Sequence, residues 1–268
     1  MLEFFKRKRK KLIVAGCSYV DNYAKSQNLP TFPLWSEILA RKLNMELINL
    51  GKCGAGNKEI YSKITDTIMT EDRIGLVIPM WTEFQRVSFY IDKLQTWKSF
   101  HTDRDYLNAE WTDKFHKGMS GVAQPNPLKK KMPYRISKEY RAFGLNDIQA
   151  STEDSVRIMH GFQTLCENRD IPYLQMQGPY PIMSKSRYDN EQKLAGTFIN
   201  SIYLKEIPKA TFVGWPIINS IGGHCIDDYL TKDEKYVISK EDRHPNAKGN
   251  QLISEILYDK YNQNYSKT

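Results

Sequence analysis

Short apolar runs alternate with amphipathic stretches along most of this chain. The sharpest run is LIVAGCSY at 12–19, apolar and small residues that end in Gly-Cys-Ser-Tyr. It predicts a buried strand that breaks at Gly16 and presents Ser18 at its C-terminal end. Trp35, Ile38, Leu39 and Leu43 then fall at helical spacing, which predicts an amphipathic helix over 34–43. ELINL at 46–50 predicts a second strand running into the glycine-rich stretch GKCGAGN. Asn57 stands where a helix cap belongs, and Ile60, Ile64 and Ile68 stripe the helix that follows. IGLVIPM at 74–80 is apolar on both faces and suits the middle of a parallel sheet. The pattern resumes at Ser151, where Ile158, Met159, Phe162, Leu165 and Cys166 share a helical face with His160 on or beside it. Runs at 171–177 and 210–213 predict the fourth and fifth strands, with a helix over about 190–204 between them. Pro245 opens a last helix carrying Leu252, Ile253, Ile256 and Leu257. Strand alternating with helix predicts right-handed βαβ units, hence an α/β fold on a five-stranded parallel sheet.

From Phe89 to about Ala150 this periodicity fails. The stretch 90–150 reads as a large, partly helical insertion over or beside the site, a lid or an interface. Its aromatic residues, Trp97 and Trp111 among them, either stack on ligand rings or build the insertion's own small core.

Composition narrows the class. A chain of 268 residues with 40% apolar content suits one large α/β domain spanning 1–268. No apolar run reaches the roughly 18 residues of a membrane helix. The apolar stretch near the N-terminus serves better as the first strand than as a secretion signal, so a soluble protein without such a signal is expected. The formal charge is +8, and residues 1–11 hold six cations against one carboxylate. That basic N-terminal arm, densest over 6–11, reads either as a contact to nucleic acid or an anionic membrane or as a solvated tail. The rest of the chain does not support a nucleic-acid-binding face. Cys17, Cys53, Cys166 and Cys225 show no CxxC spacing and His224-Cys225 stands alone, so neither a metal site nor a disulfide framework is expected.

The candidate chemistry lies at strand ends. In a parallel sheet the turns after the first three strands share one edge, where ligands bind. That edge would hold the Ser18 hydroxyl, the backbone N–H groups of the Gly54–Gly56 turn and the Trp81-Thr82-Glu83 turn. A serine becomes a nucleophile when a base reaches it, and backbone N–H groups can stabilise an oxyanion. The best base is His244, between Glu241-Asp242 and a helix-opening proline, because a nearby carboxylate can orient the imidazole. His101, His116, His160 and His224 have weaker contexts. Cys17 is an alternative nucleophile, although neighbouring strand residues face opposite ways.

In order, the blocks Gly16-Cys17-Ser18-Tyr19, Asn49-Leu50-Gly51 through Asn57, and Asp242-Arg243-His244-Pro245-Asn246 resemble those of SGNH (GDSL-type) hydrolases. Phe212-Val213-Gly214-Trp215-Pro216 is similar to members encoded by tailed bacteriophages. The resemblance implies a flavodoxin-like three-layer α/β/α sandwich and a cofactor-free Ser–His–Asp esterase. Ser18 would be the nucleophile, His244 the base, and Asp242 the orienting carboxylate with Glu241 as the alternative. The oxyanion hole would use the N–H groups of Ser18 and Gly54. Where the family usually has an asparagine donor this chain has Trp81-Thr82-Glu83, so Thr82 is the substitute donor and Arg86 a source of electrostatic help. The implied substrate is a small acyl ester, such as an O-acetyl group on carbohydrate. The implied setting is an infected bacterial cell or a virion. The missing asparagine and the long insertion leave an alternative of another class, a non-catalytic binding or virion structural module.

Overall fold

A computed structural model describes residues 8–27, 29–102, 136–140, 142–145, 147–182 and 187–266. Its centre is a five-stranded sheet of β1 (Lys11–Ala15), β2 (Glu46–Asn49), β3 (Ile74–Trp81), β6 (Gln175–Gln177) and β7 (Phe212–Val213). The strands lie in the order β2-β1-β3-β6-β7 and every neighbouring pair is parallel. The connecting helices are α1 (Tyr23–Ser26), α2 (Trp35–Lys42), α3 (Asn57–Thr70), α4 (Ile148–Glu167), α5 (Arg187–Asn200), α6 (Ile226–Leu230) and α7 (Ala247–Tyr265).

Strand alternation sorts the apolar side chains into two layers. Ile13, Ala15, Val77 and Trp81 join Ile60, Ile64, Phe162 and Phe198 from α3, α4 and α5 on one face. Leu12, Val14, Leu76, Ile78 and Met80 join Trp35, Leu39, Leu230, Ile253 and Leu257 from α2, α6 and α7 on the other. Both faces of β1 and β3 are therefore covered, which is why their sequences are apolar without alternation. The chain winds from β1 outward to β2, then returns to the other side of β1 for β3. This reversal opens a crevice at the C-terminal ends of β1 and β3.

Element limits differ locally from the sequence expectations. β1 stops at Ala15, and Ser18 lies in the turn beyond it. Gly56, not Asn57, caps α3, and Asn57 is instead buried. Asn246 caps α7 through Lys248 N and Gly249 N, with Pro245 just outside the helix.

The larger correction concerns 90–150. Residues 86–101 form an antiparallel hairpin of β4 (Arg86–Ile91) and β5 (Thr96–His101), and α4 already begins at Ile148. The hairpin escaped the pattern because the face it turns to α3 is polar. There Ser88 Oγ and Ser99 Oγ lie 2.8 Å apart and Ser99 Oγ donates to buried Glu59 at 3.1 Å. Phe89, Phe100 and Tyr140 pack together on the opposite face. Trp111, His116 and the lysines at 129–131, like the basic arm up to residue 7, lie outside the described residues.

Candidate active site

The turn after β1 is built on Cys17, whose carbonyl accepts from both Val20 N and Asp21 N at 3.0 Å. A Cβ on Gly16 would sit 2.3 Å from Val20 Cγ2, so the chain folds back this tightly only with glycine there. Cys17 is buried in the core on the α2–α7 side, while Ser18 is partly exposed. The two neighbours thus differ in burial, Cys17 in the core and Ser18 partly open to solvent.

His244 arrives from the other end of the chain in a pinned loop. Ile238 N donates to His244 O at 2.9 Å, Ser239 N donates to Asp242 O at 3.0 Å, and Asn246 Nδ2 donates to Val237 O at 2.7 Å. His244 Nε2 lies 2.8 Å from Ser18 Oγ, and His244 Nδ1 lies 2.6 Å from Asp242 Oδ1. Burial pushes the Asp242 carboxyl up, but the hydrogen bonds and charge of His244 outweigh it and hold the group below the usual carboxylate range. An ionised carboxylate only accepts, so Nδ1 carries the donated proton, which leaves Nε2 facing the Ser18 hydroxyl. Glu241 is exposed and accepts from Ser239 Oγ at 3.0 Å, so of the two carboxylates Asp242 is the one on the imidazole.

The glycine stretch lies against both parts. Lys52 N donates to Gly16 O at 3.0 Å, Cys53 N donates to Asp21 Oδ2 at 2.8 Å, and a Cβ on Gly51 would meet Val20 C at 2.7 Å. Ala55 N closes the turn onto Lys52 O at 2.9 Å, with Gly54 at φ +80°. The β4–β5 hairpin supports this loop from outside. Arg86 Nη1 donates to Ala55 O at 3.1 Å, Gly56 N to Ser99 Oγ at 3.3 Å, and Lys52 Nζ to Trp97 O at 2.8 Å.

Thr82 and Arg86 have other engagements than those expected of them. Thr82 is fully buried, its backbone N–H is held by Asn57 Oδ1 at 2.8 Å, and its hydroxyl donates to Glu83 Oε2 at 2.6 Å. A hydroxyl has one proton, and here it serves Glu83 rather than an oxyanion. The Arg86 guanidinium also reaches Glu83 Oε2 at 2.6 Å and donates from Nε to His101 Nε2 at 3.1 Å. Burial raises the Glu83 carboxyl, but Arg86, His101 and the Thr82 hydroxyl outweigh it and hold it at about 2. Arg86 thus supports the glycine loop as one half of a mostly buried ion pair.

The sequence pattern does not single out Tyr23. Its ring stacks on His244 with centroids 3.7 Å apart and planes 15° apart, and its hydroxyl donates to Asp242 Oδ2 at 3.1 Å. The sequence signal for it is slight: an aromatic residue one turn past the serine, in a short helix capped by the side chain of Asn22. Tyr19 approaches the imidazole at 5.3 Å and donates to half-buried Asp227 Oδ1 at 2.5 Å. A small cleft beside Ser18 and His244 is lined by Tyr23, Phe32, Leu34 and Ile238. Among the described residues no cluster of His, Cys, Asp and Glu could hold a metal ion, and no helix is long and apolar enough to cross a membrane.

No protein-family model and no curated protein matches the chain. Several solved structures are similar over nearly its whole length. The psychrotrophic esterase EstA from Pseudoalteromonas sp. shares 11% identity at a TM-score of 0.48, covering 95% of this chain and 97% of its own. TesA shares 10% identity at 0.47, covering 95% and 99%. Axe2, an acetyl xylan esterase from Geobacillus stearothermophilus, shares 12% identity at 0.41, covering 94% of each chain. None of these three reaches a TM-score of 0.5, and the functional reading is carried by the Ser18–His244–Asp242 geometry instead.

Proposed function

We propose that this protein is a serine esterase acting on small acyl esters, with Ser18 as nucleophile, His244 as base and acid, and Asp242 as orienting carboxylate. The observation that carries this reading is the 2.8 Å contact between Ser18 Oγ and His244 Nε2 at the C-terminal edge of the sheet. As Oγ attacks the acyl carbon, Nε2 takes its proton, and ionised Asp242 stabilises the imidazolium. The backbone N–H groups of Ser18 and Gly54 receive the oxyanion. Collapse of the intermediate breaks the ester C–O bond, and the imidazolium protonates the leaving alkoxide. Water, deprotonated by Nε2, then attacks the acyl-enzyme and releases the carboxylic acid with Ser18 restored. Thr82 is left out of the oxyanion hole because its proton is held by Glu83. No cofactor takes part in this scheme.

Within this reading the substrate class is an O-acetyl ester on carbohydrate, in an infected bacterial cell or on a virion. The support for both is the order of sequence blocks that resembles phage-encoded SGNH hydrolases. Acetate release from O-acetylated oligosaccharides, compared with release from simple alkyl acetates, tests the substrate. The hydrolase itself is tested with p-nitrophenyl acetate and a serine-reactive fluorophosphonate. Wild-type protein is expected to turn over the ester and to be labelled on Ser18, with Ser18→Ala and His244→Ala at least about a thousandfold slower. Wild-type protein that neither hydrolyses nor labels would leave the non-catalytic binding module as the correct reading, in line with the engaged Thr82.

A further inference from the structure

The imidazole of His244 is held by more than its carboxylate. Tyr23 lies flat on one face of the ring at 3.7 Å, and its hydroxyl donates to Asp242 Oδ2 at 3.1 Å. Asp242 Oδ1 is already occupied twice, by His244 Nδ1 at 2.6 Å and by His244 N at 3.2 Å. Tyr19 closes the ring's surroundings at 5.3 Å. A carboxylate bonded through one oxygen can still rotate about its Cβ–Cγ bond, and an imidazole bonded through Nδ1 can still swing about that bond. These terminal torsions are broad, so neither is fixed by rotamer preference alone. Tyr23 restrains both at once: its hydroxyl holds the second carboxylate oxygen and its ring blocks one face of the imidazole.

Tyr23 also belongs to the same short segment as the nucleophile. The turn that carries Ser18 runs directly into α1, whose first residue is Tyr23 and whose cap is Asn22 Oδ1 accepting from Lys25 N at 3.2 Å. Nucleophile and clamp are thus placed by one local fold, while the base they address comes from a distant loop whose Asp242 lies 219 positions from Tyr23.

We propose that Tyr23 is a positioning residue, a clamp that fixes the Asp242 carboxylate and the His244 ring so that Nε2 stays aligned on Ser18. It acts through His244 and Asp242 and touches no reacting atom. The proposal deepens the esterase reading and rests on it for its kinetic consequences, while its structural part can be measured without turnover.

The test uses two variants of the full chain. Tyr23→Phe keeps the stacked ring and removes only the hydroxyl; Tyr23→Leu removes the ring as well. For Tyr23→Phe, kcat on p-nitrophenyl acetate is expected to fall roughly tenfold, the worth of one hydrogen bond to a charged group at the low end, with KM unchanged. Tyr23→Leu is expected to lose about a further tenfold, because misalignment of the base is costly. Proton NMR follows the low-field resonance of the His244–Asp242 hydrogen bond, which should shift in Tyr23→Phe and broaden in Tyr23→Leu. Should Tyr23→Leu fail to fold by circular dichroism, Tyr23→Phe carries the test. A Tyr23→Phe protein with kcat within twofold of wild type and an unmoved resonance overturns the clamp. If wild-type protein proves inert towards ester, the esterase reading fails, and the resonance in Tyr23→Phe alone still decides for or against the clamp.

Discussion

Two adjacent carboxylates precede His244, and their surroundings separate their roles. Asp242 lies 2.6 Å from Nδ1, whereas Glu241 is exposed and tied to Ser239. Asp242→Asn replaces an obligate acceptor with an amide that can present N–H to Nδ1 and favour the wrong tautomer. In the serine-protease triad the corresponding change costs about ten-thousandfold in kcat. A loss of about a hundredfold or more is expected here, against less than about twofold for Glu241→Gln, with esterase kinetics as the measurement. Spacing could not rank the two, because both positions suit a loop before a helix. The Ser239 hydrogen bonds that turn Glu241 away exist only once the loop is closed. At this scale Ser18 and His244 were legible, since strand ends and helix starts mark themselves in sequence. Tyr23 was not, because a stacking partner 219 positions distant from its carboxylate leaves no local mark, and the adjacent Thr82–Glu83 contact was not, because sequence does not record which way a hydroxyl turns.

Among the elements, the β4–β5 hairpin carries the consequence least visible in sequence. It supports the glycine loop through Arg86, Ser99 and the Trp97 carbonyl, and it comes so close to Gly56 that a Cβ there would lie 2.5 Å from Arg86 O. The ion pair of Arg86 with Glu83 ties the start of β4 to the end of β3. Because the folded state holds Glu83 at about 2, below its ordinary value of 4.5, this contribution to stability is fully present above pH 4.5. It is lost as the pH falls from there through about 2. Urea unfolding followed over this range should show wild-type protein losing more stability than Glu83→Gln, which has no charge to lose. Equal losses in the two proteins would mean that the pair contributes nothing across that window. The hairpin leaves no apolar alternation in the sequence because serines and a glutamate, rather than apolar side chains, fill the space between it and α3.

For the whole molecule, site assembly depends on packing the chain's two ends onto the same sheet. β1 delivers Ser18, and α7, docked on α2 and on the β1–β3 face, fixes the loop bearing His244. Leu257 is fully buried in that layer, well along α7 from the histidine. Leu257→Ala should therefore cost about 2–5 kcal/mol of unfolding free energy. Well below the melting temperature kcat should stay within about twofold of wild type. On heating, fluorophosphonate labelling of Ser18 should vanish at the same lowered midpoint as the circular dichroism signal. Labelling that outlasts the fold-wide transition would show that the two ends are not held together as described.

Taken alone, the amino-acid order determined the parallel α/β class, the two apolar faces of β1 and β3, and the strand-end and helix-start positions of Ser18 and His244. Those features arise from periodicities of two and about 3.6 residues and from turn and cap chemistry, which act over a few neighbouring positions. Tertiary structure alone decided which carboxylate meets the imidazole, that Thr82 gives its proton to Glu83, that a polar-faced hairpin supports the glycine loop, and that Tyr23 stacks on His244. The last two are contacts between distant side chains, and the first two are choices that neighbouring side chains make only once the loop or turn is closed. They are set by how the layers close in space, so no local pattern has to record them.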